Sequence, residues 1–200
     1  MQDESDDALM RRAGSGDKAA FAVLVRRHLA RATAVAQRIV ANRSDAEEIV
    51  QETFLRCWQK APEWLPANDR VPGDRTGADA AGRAQIGTWL YRVLVNLCLD
   101  RRRRPRPVEI EAAAAVADDR ANGFDVRAAS ETSRRVAAAM DALPDRQRAA
   151  LALCYFEGLG NIEAAAALEI SVGALESLLV RGRRALKESL ADLAPAGHIG

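Results

Sequence analysis

Four consecutive arginines, Arg101, Arg102, Arg103 and Arg104, close an apolar segment in the stretch RVLVNLCLDRRRRPRP. Guanidinium groups at this density suit forked hydrogen bonding to phosphate oxygens, although a solvated helix end has the same composition. A second group, Glu176, Ser177, Val180 and Arg181 with Arg183 and Arg184 behind it, recurs at helical spacing near the other end of the chain. On one helix face these side chains reach base edges in a major groove, or simply face water. A third group is Glu48, Gln51 and Glu52, on the polar side of a segment whose other side is apolar. That pattern fits a docking face as well as a solvated one. The three cysteines, Cys57, Cys98 and Cys154, lie far apart among apolar neighbours, without metal-ligand spacing. They read as small buried hydrophobes in a reducing compartment. Since the sequence shows no glycine-rich phosphate loop, nucleophile elbow or metal-ligand cluster, neither catalysis nor a cofactor is expected.

These groups need helices to hold them. The 200 residues are 48% apolar and 28% charged, rich in alanine, leucine, glutamate and arginine, which favours helix over strand. Ser5 or Asp6 and then Asp17 are helix caps separated by Gly14 and Gly16. Along the second helix Phe21, Leu24 and His28 recur at three- and four-residue steps, and His28 reads as packed rather than ligating. In SDAEEIVQETFLRCWQKA, Ser44 with Glu47 reads as a capping box. Ala46, Ile49, Val50, Phe54, Cys57 and Trp58 make its apolar stripe. Residues 62–87, with three prolines and four glycines, read as a long loop. Thr88 opens a further helix that Pro105 and Pro107 stop.

Net charge is only +1, but its distribution is uneven. Residues 61–104 carry eight basic and five acidic groups, and residues 105–132 carry three and six. The second stretch lacks periodicity and reads as an acidic linker. Helical periodicity returns in 133–142, 145–157, 161–168 and 172–190. The expected fold class is therefore all-α: two small helical domains, 1–104 and 133–193, joined by a linker at 105–132, with a tail at 194–200. Within the second domain Asn161 caps a short helix and Ala165 supplies a small crossing residue. Ser171 then caps a longer helix whose Leu175 and Leu179 point inward, which is a helix-turn-helix pattern. The acidic N-terminus MQDESDDALMRR is unlike a signal peptide, and no apolar run reaches the roughly 20 residues of a membrane span. A cytoplasmic chain without direct membrane insertion is expected.

Four blocks occur in the order seen in bacterial extracytoplasmic-function sigma factors: DALMRRAGSGDKAAFAVLVRRH, AEEIVQETFLRCW, TWLYRVLVNLCLDRRRR and ALPDRQRAALALCYFEGLGNIEAAAALEISVGALESLLVRGRRALKESL. The chain resembles that family over almost everything except the loop and the linker. The resemblance implies a region-2-like domain that docks on core RNA polymerase and melts the −10 element, and a region-4-like domain that reads the −35 element. It implies contacts with the polymerase β′ coiled coil through Glu48, Gln51 and Glu52, and with the β flap. Trp89, Tyr91, Arg92 and Asn96 match the −10-facing segment, Asn96 at the position that helps capture an unstacked base. The four arginines then lie where the −10 backbone would pass. Glu176, Ser177, Val180 and Arg181 match the base-reading positions, with Ser171 capping their helix and Arg183 and Arg184 as phosphate contacts. An anti-sigma partner is also implied.

The chain departs from the family pattern at five positions. Ala174 replaces a threonine, Glu176 a basic residue, Leu178 an arginine, Glu169 the turn glycine and Ala164 an isoleucine. Fewer cations on the DNA face should weaken the phosphate term, and Glu176 can accept from a cytosine amino group. Three rival classes have their own sequence requirements. A response regulator would need a strand-helix receiver, and residues 1–104 show no such strand. An enzyme would need a catalytic constellation. A degenerate sigma-like regulator would share the blocks themselves.

Overall fold

The computed structural model describes residues 4–64, 86–104 and 131–193. The expected linker, the C-terminal tail and most of the expected loop lie outside them. Among the described residues every regular element is helical. The N-terminal unit comprises α1 (Asp6–Gly14), α2 (Lys18–Val40), α3 (Arg43–Lys60), a 3₁₀ turn (Ala61–Glu63) and α4 (Ile86–Arg103). The C-terminal unit comprises α5 (Glu131–Asp141), α6 (Asp145–Leu151), a π turn (Ala152–Phe156), α7 (Asn161–Ala167), α8 (Val172–Ser189) and a closing 3₁₀ turn (Ala191–Leu193).

Local chemistry sets the helix starts. The Ser5 hydroxyl accepts from the Ala8 amide at 3.3 Å, and the Asp17 carboxylate accepts from Ala19 and Ala20 at 2.9 and 3.0 Å. Each satisfies a backbone donor that the first helical turn leaves unpaired. The start of α3 differs from the sequence expectation. Asn42, not Ser44, is its cap, accepting from the Asp45 amide at 2.8 Å, and Glu47 pairs with Arg43 instead of closing a capping box. Ala41 ends α2 in the left-handed region (φ 54°), which leaves Asn42 extended and ready to cap. The start of α7 is also shifted by one residue. Its cap is Gly160, whose amide donates to the Glu163 carboxylate at 3.1 Å, and Asn161 is its first helical residue.

One continuous core runs through both units. In the N-terminal unit Met10, Leu24, Val35, Ile39, Ile49, Phe54, Leu94, Val95 and Cys98 meet at the centre of the bundle. In the C-terminal unit Leu151, Leu153, Ala164, Ala165 and Leu168 pack with Leu175 and Leu179 of α8. Two glycines are required by close approach. A Cβ at Gly14 would lie 2.4 Å from the Ala61 carbonyl oxygen, and one at Gly182 would lie 2.9 Å from a Leu151 methyl.

The two units were expected as domains tied by a linker. They also pack directly, through α4 against α7 and through α2 against α6 and the π turn. Arg148, fully buried on α6, holds this junction. Its guanidinium donates to the carbonyls of Met140 (2.8 Å), Leu143 (2.9 Å) and Asp141, and across the junction to that of Ile39 (2.8 Å). These carbonyls belong to the ends of α5 and α2 and the turn after α5, where no further helical turn supplies donors.

Candidate nucleic-acid and polymerase interfaces

The three residues expected to dock on the polymerase lie together on one face of α3. Glu48, Gln51 and Glu52 line an open groove between α3 and α4 with Leu55, Arg56, Leu97, Arg101 and Arg104. Glu52 pairs with Arg56 at 2.7 Å, and Glu48 with Arg101 at 2.9 Å. Leu55 is half exposed on this polar face and was not singled out in the sequence. The available signal was its step of four residues from Gln51, an apolar residue set into a charged side.

The −10 set splits. Asn96 and Arg92 lie on the outer side of α4, exposed and half-buried respectively, one helical turn apart. Trp89 is half-buried and meets Trp64 edge to face, with ring centroids 6.3 Å apart, so its indole packs within the protein. Tyr91 is 2% exposed and its hydroxyl donates to the Glu157 carboxylate at 2.5 Å. Burial and that hydrogen bond raise the hydroxyl's pKa well above its ordinary value. The expectation that Tyr91 faces DNA is therefore corrected for this conformation: the ring is core, and its one polar atom is committed to the other unit.

The arginine run also divides, because a helix turns successive side chains by 100°. Arg101 points to α3 and pairs with Asp45 and Glu48. Arg102 points to the C-terminal unit and pairs with Asp145 and Asp141. The expectation that all four contact phosphate is thus not met in this conformation. Arg103, which meets Asp100 at 3.6 Å, and Arg104 remain on the exposed side. The same helix buries Cys98, and burial lifts its thiol and that of Cys57 to about 12, so both are inert.

The C-terminal set assembles as expected. The Ser171 hydroxyl accepts from the Ala174 amide at 3.2 Å and starts α8. Leu175 and Leu179 are buried, while Glu176, Ser177, Val180 and Arg181 surround one shallow surface concavity with Gly173. The Ser177 hydroxyl donates to the Gly173 carbonyl at 2.9 Å, and Arg181 Nε donates to the Ser177 carbonyl at 3.1 Å. Glu176 accepts from the Asn161 amide at 3.4 Å, a long contact that leaves its carboxylate facing outward. Arg183 and Arg184 are exposed, and Arg184 pairs with Glu188 at 2.8 Å. The face is apolar at Val180, cationic at its C-terminal end and anionic at Glu176.

Comparison with known proteins places this geometry. The pattern described as Sigma-70 region 2 matches residues 24–72, and that of Sigma-70 region 4 matches residues 133–186. These spans hold α3 and the helix-turn-helix of α7 and α8. The chain belongs to the extracytoplasmic-function sigma factors. This sigma factor is 33% identical over 184 residues to the ECF RNA polymerase sigma factor SigE of Mycolicibacterium smegmatis, a match covering 88% of the chain and 65% of that relative. It is 29% identical to the ECF RNA polymerase sigma factor SigW of Bacillus subtilis, covering 89% of the chain and 92% of the relative. Among solved structures, CnrH in complex with the cytosolic domain of CnrY superimposes with a TM-score of 0.66 at 27% identity, covering 96% of the chain and all of CnrH. The Bartonella quintana sigma factor RpoE, solved with the anti-sigma factor NepR, shares the fold with a TM-score of 0.60 at 22% identity, covering 86% of the chain and 96% of that protein.

Proposed function

We propose that the chain is an alternative sigma factor that binds core RNA polymerase and directs initiation at promoters with its own −10 and −35 elements. The observation that carries the reading is the coexistence, in one chain, of the α3–α4 docking groove and the α8 reading face. Glu48, Gln51, Glu52 and Leu55 dock on the polymerase. Asn96, with a donor and an acceptor on one amide, holds an unstacked base while Arg92 and the outward Arg103 and Arg104 hold its backbone. Glu176, Ser177, Val180 and Arg181 read the upstream duplex, positioned by the Arg183 and Arg184 phosphate contacts. The activity is recognition and needs no bond-making group or cofactor.

The domain bounds follow the same division, with 1–104 as the docking and melting domain, 105–132 as the linker and 133–193 as the −35 domain. An anti-sigma partner is supported by the structural relative RpoE, which was solved bound to one. The site of action is the cytoplasm, where core polymerase resides, and no helix among the described residues is long and apolar enough to cross a membrane. The deciding experiment is co-migration of the purified chain with core RNA polymerase on gel filtration. A stoichiometric complex that Glu48→Arg with Gln51→Ala weakens supports the reading, and no complex with wild type overturns it.

A further inference from the structure

Asn161 makes a contact that its expected role as a helix cap does not use. The cap of α7 is Gly160, whose amide donates to the Glu163 carboxylate, so the Asn161 side chain is released from the helix start. Its amide crosses instead to α8 and donates from Nδ2 to Glu176 Oε1 at 3.4 Å, between residues 15 apart in sequence. Both residues are exposed, so the contact covers no core and adds little to stability. What it does is narrow the directions in which the Glu176 carboxylate points.

The neighbours on the α8 face are narrowed in the same way. The Ser177 hydroxyl spends its hydrogen on the Gly173 carbonyl at 2.9 Å, which leaves its oxygen to the outside as an acceptor. Arg181 spends Nε on the Ser177 carbonyl at 3.1 Å, which leaves its terminal amino groups as donors. These residues and Val180 border one concavity. Along α8 the surface therefore offers two acceptors, then an apolar residue, then a donor fork. A duplex that fits it carries amino groups towards the start of α8 and acceptors towards Arg181. Of the two amino-bearing bases, adenine sets its N7 acceptor beside the amino group and repels a carboxylate there, while cytosine shows its amino group alone. A carboxylate that swings freely turns away from N7 and loses part of that distinction. One held at a single oxygen keeps it.

We propose that Asn161 is a specificity-determining residue of the −35 site: it holds one oxygen of Glu176 so that the other accepts from a cytosine amino group, which sharpens the choice of cytosine over adenine at one base pair. The proposal rests on the sigma-factor reading, since it names the base edge that the α8 face takes. Asn161 is a positioning residue, and its effect passes through Glu176 and vanishes without it.

The test is initiation by core RNA polymerase with the full chain on a duplex library randomised over the upstream element, read by sequencing the templates transcribed. Wild type should favour cytosine over adenine at one position, and Glu176→Ala should abolish that preference. Asn161→Ala should reduce it about threefold, as expected for loss of one exposed hydrogen bond, with the preferences at other positions and the melting temperature unchanged. In the Glu176→Ala background Asn161→Ala should change nothing at that position, the coupling expected of a residue that acts through another. No cytosine preference in wild type, an undiminished preference in Asn161→Ala, an even loss at every position, or an equal effect with and without Glu176 would overturn the proposal and leave the sigma-factor reading in place. Templates transcribed equally well without the chain would overturn the sigma-factor reading, and the proposal with it.

Discussion

At the scale of single residues, two polar groups, one buried and one half-buried, carry consequences out of proportion to their number. Arg148 satisfies four backbone carbonyls from three segments, and its pKa is lowered by burial and by nearby Arg102, with Asp141 and Asp145 opposing. Replacing it by methionine keeps the volume and strands those carbonyls. The expected loss is about 2–4 kcal/mol, read as a lower midpoint in urea denaturation. Asp6 is the second. Burial raises its carboxyl pKa, but hydrogen bonds from Arg27 and His28 more than offset this, leaving it below its ordinary value of 3.8. A carboxyl depressed by folding contributes stability that is complete above its unfolded value and lost as pH falls through its lower folded value. Asp6→Asn should therefore lower the melting temperature at neutral pH, and the difference from wild type should shrink as pH falls below 3.8. A difference that stays constant to the lowest pH would contradict this assignment. Neither residue was recognisable in the sequence. Arg148 looked like one of several helix-surface arginines, and nothing local announced that it would be enclosed by chain ends from both units.

At the scale of elements, the sequence was informative where periodicity and caps speak and silent where partners are distant. The stripes of α3 and α8 are buried as spaced, from Ala46 to Cys57 and at Leu175 and Leu179. The caps Ser5, Asp17 and Ser171 are where composition put them. The start of α3 departs from the pattern because Ser44 and Glu47 satisfy the capping spacing, while the left-handed Ala41 that presents Asn42 carries no local signature. The division of the arginine run follows from helix geometry, but its partners Asp45, Asp141 and Asp145 are 39 to 56 residues away in sequence. Close approach is equally non-local. Gly14→Ala would place its methyl against the Ala61 carbonyl and should cost about 1–3 kcal/mol through displacement of the 3₁₀ turn. Gly87→Ala, in the first turn of α4 with open space around it, should gain up to about 1 kcal/mol. Paired melting curves test both, and equal effects of the two substitutions would contradict the packing described for α1.

At the scale of the whole molecule, the two units pack directly, through α4 and through α2. The core is continuous across both units, and the contacts over the outer side of α4 are charged and partly exposed. The α8 face lies outside that junction and has its own signature in Glu176, an anion where the family carries a cation. It predicts selection of a cytosine at the matching −35 position, and Glu176→Lys should move the preference to guanine. An unchanged preference would show that the carboxylate reads no base. The most direct measurement of the central claim is run-off transcription by purified core RNA polymerase, with and without the chain, from a library randomised over the upstream region. The account predicts transcripts that depend on the chain and enriched templates sharing two separated elements, with the upstream one altered by Glu176→Lys. Transcripts no more abundant than with core polymerase alone, or templates enriched without any shared element, would contradict it.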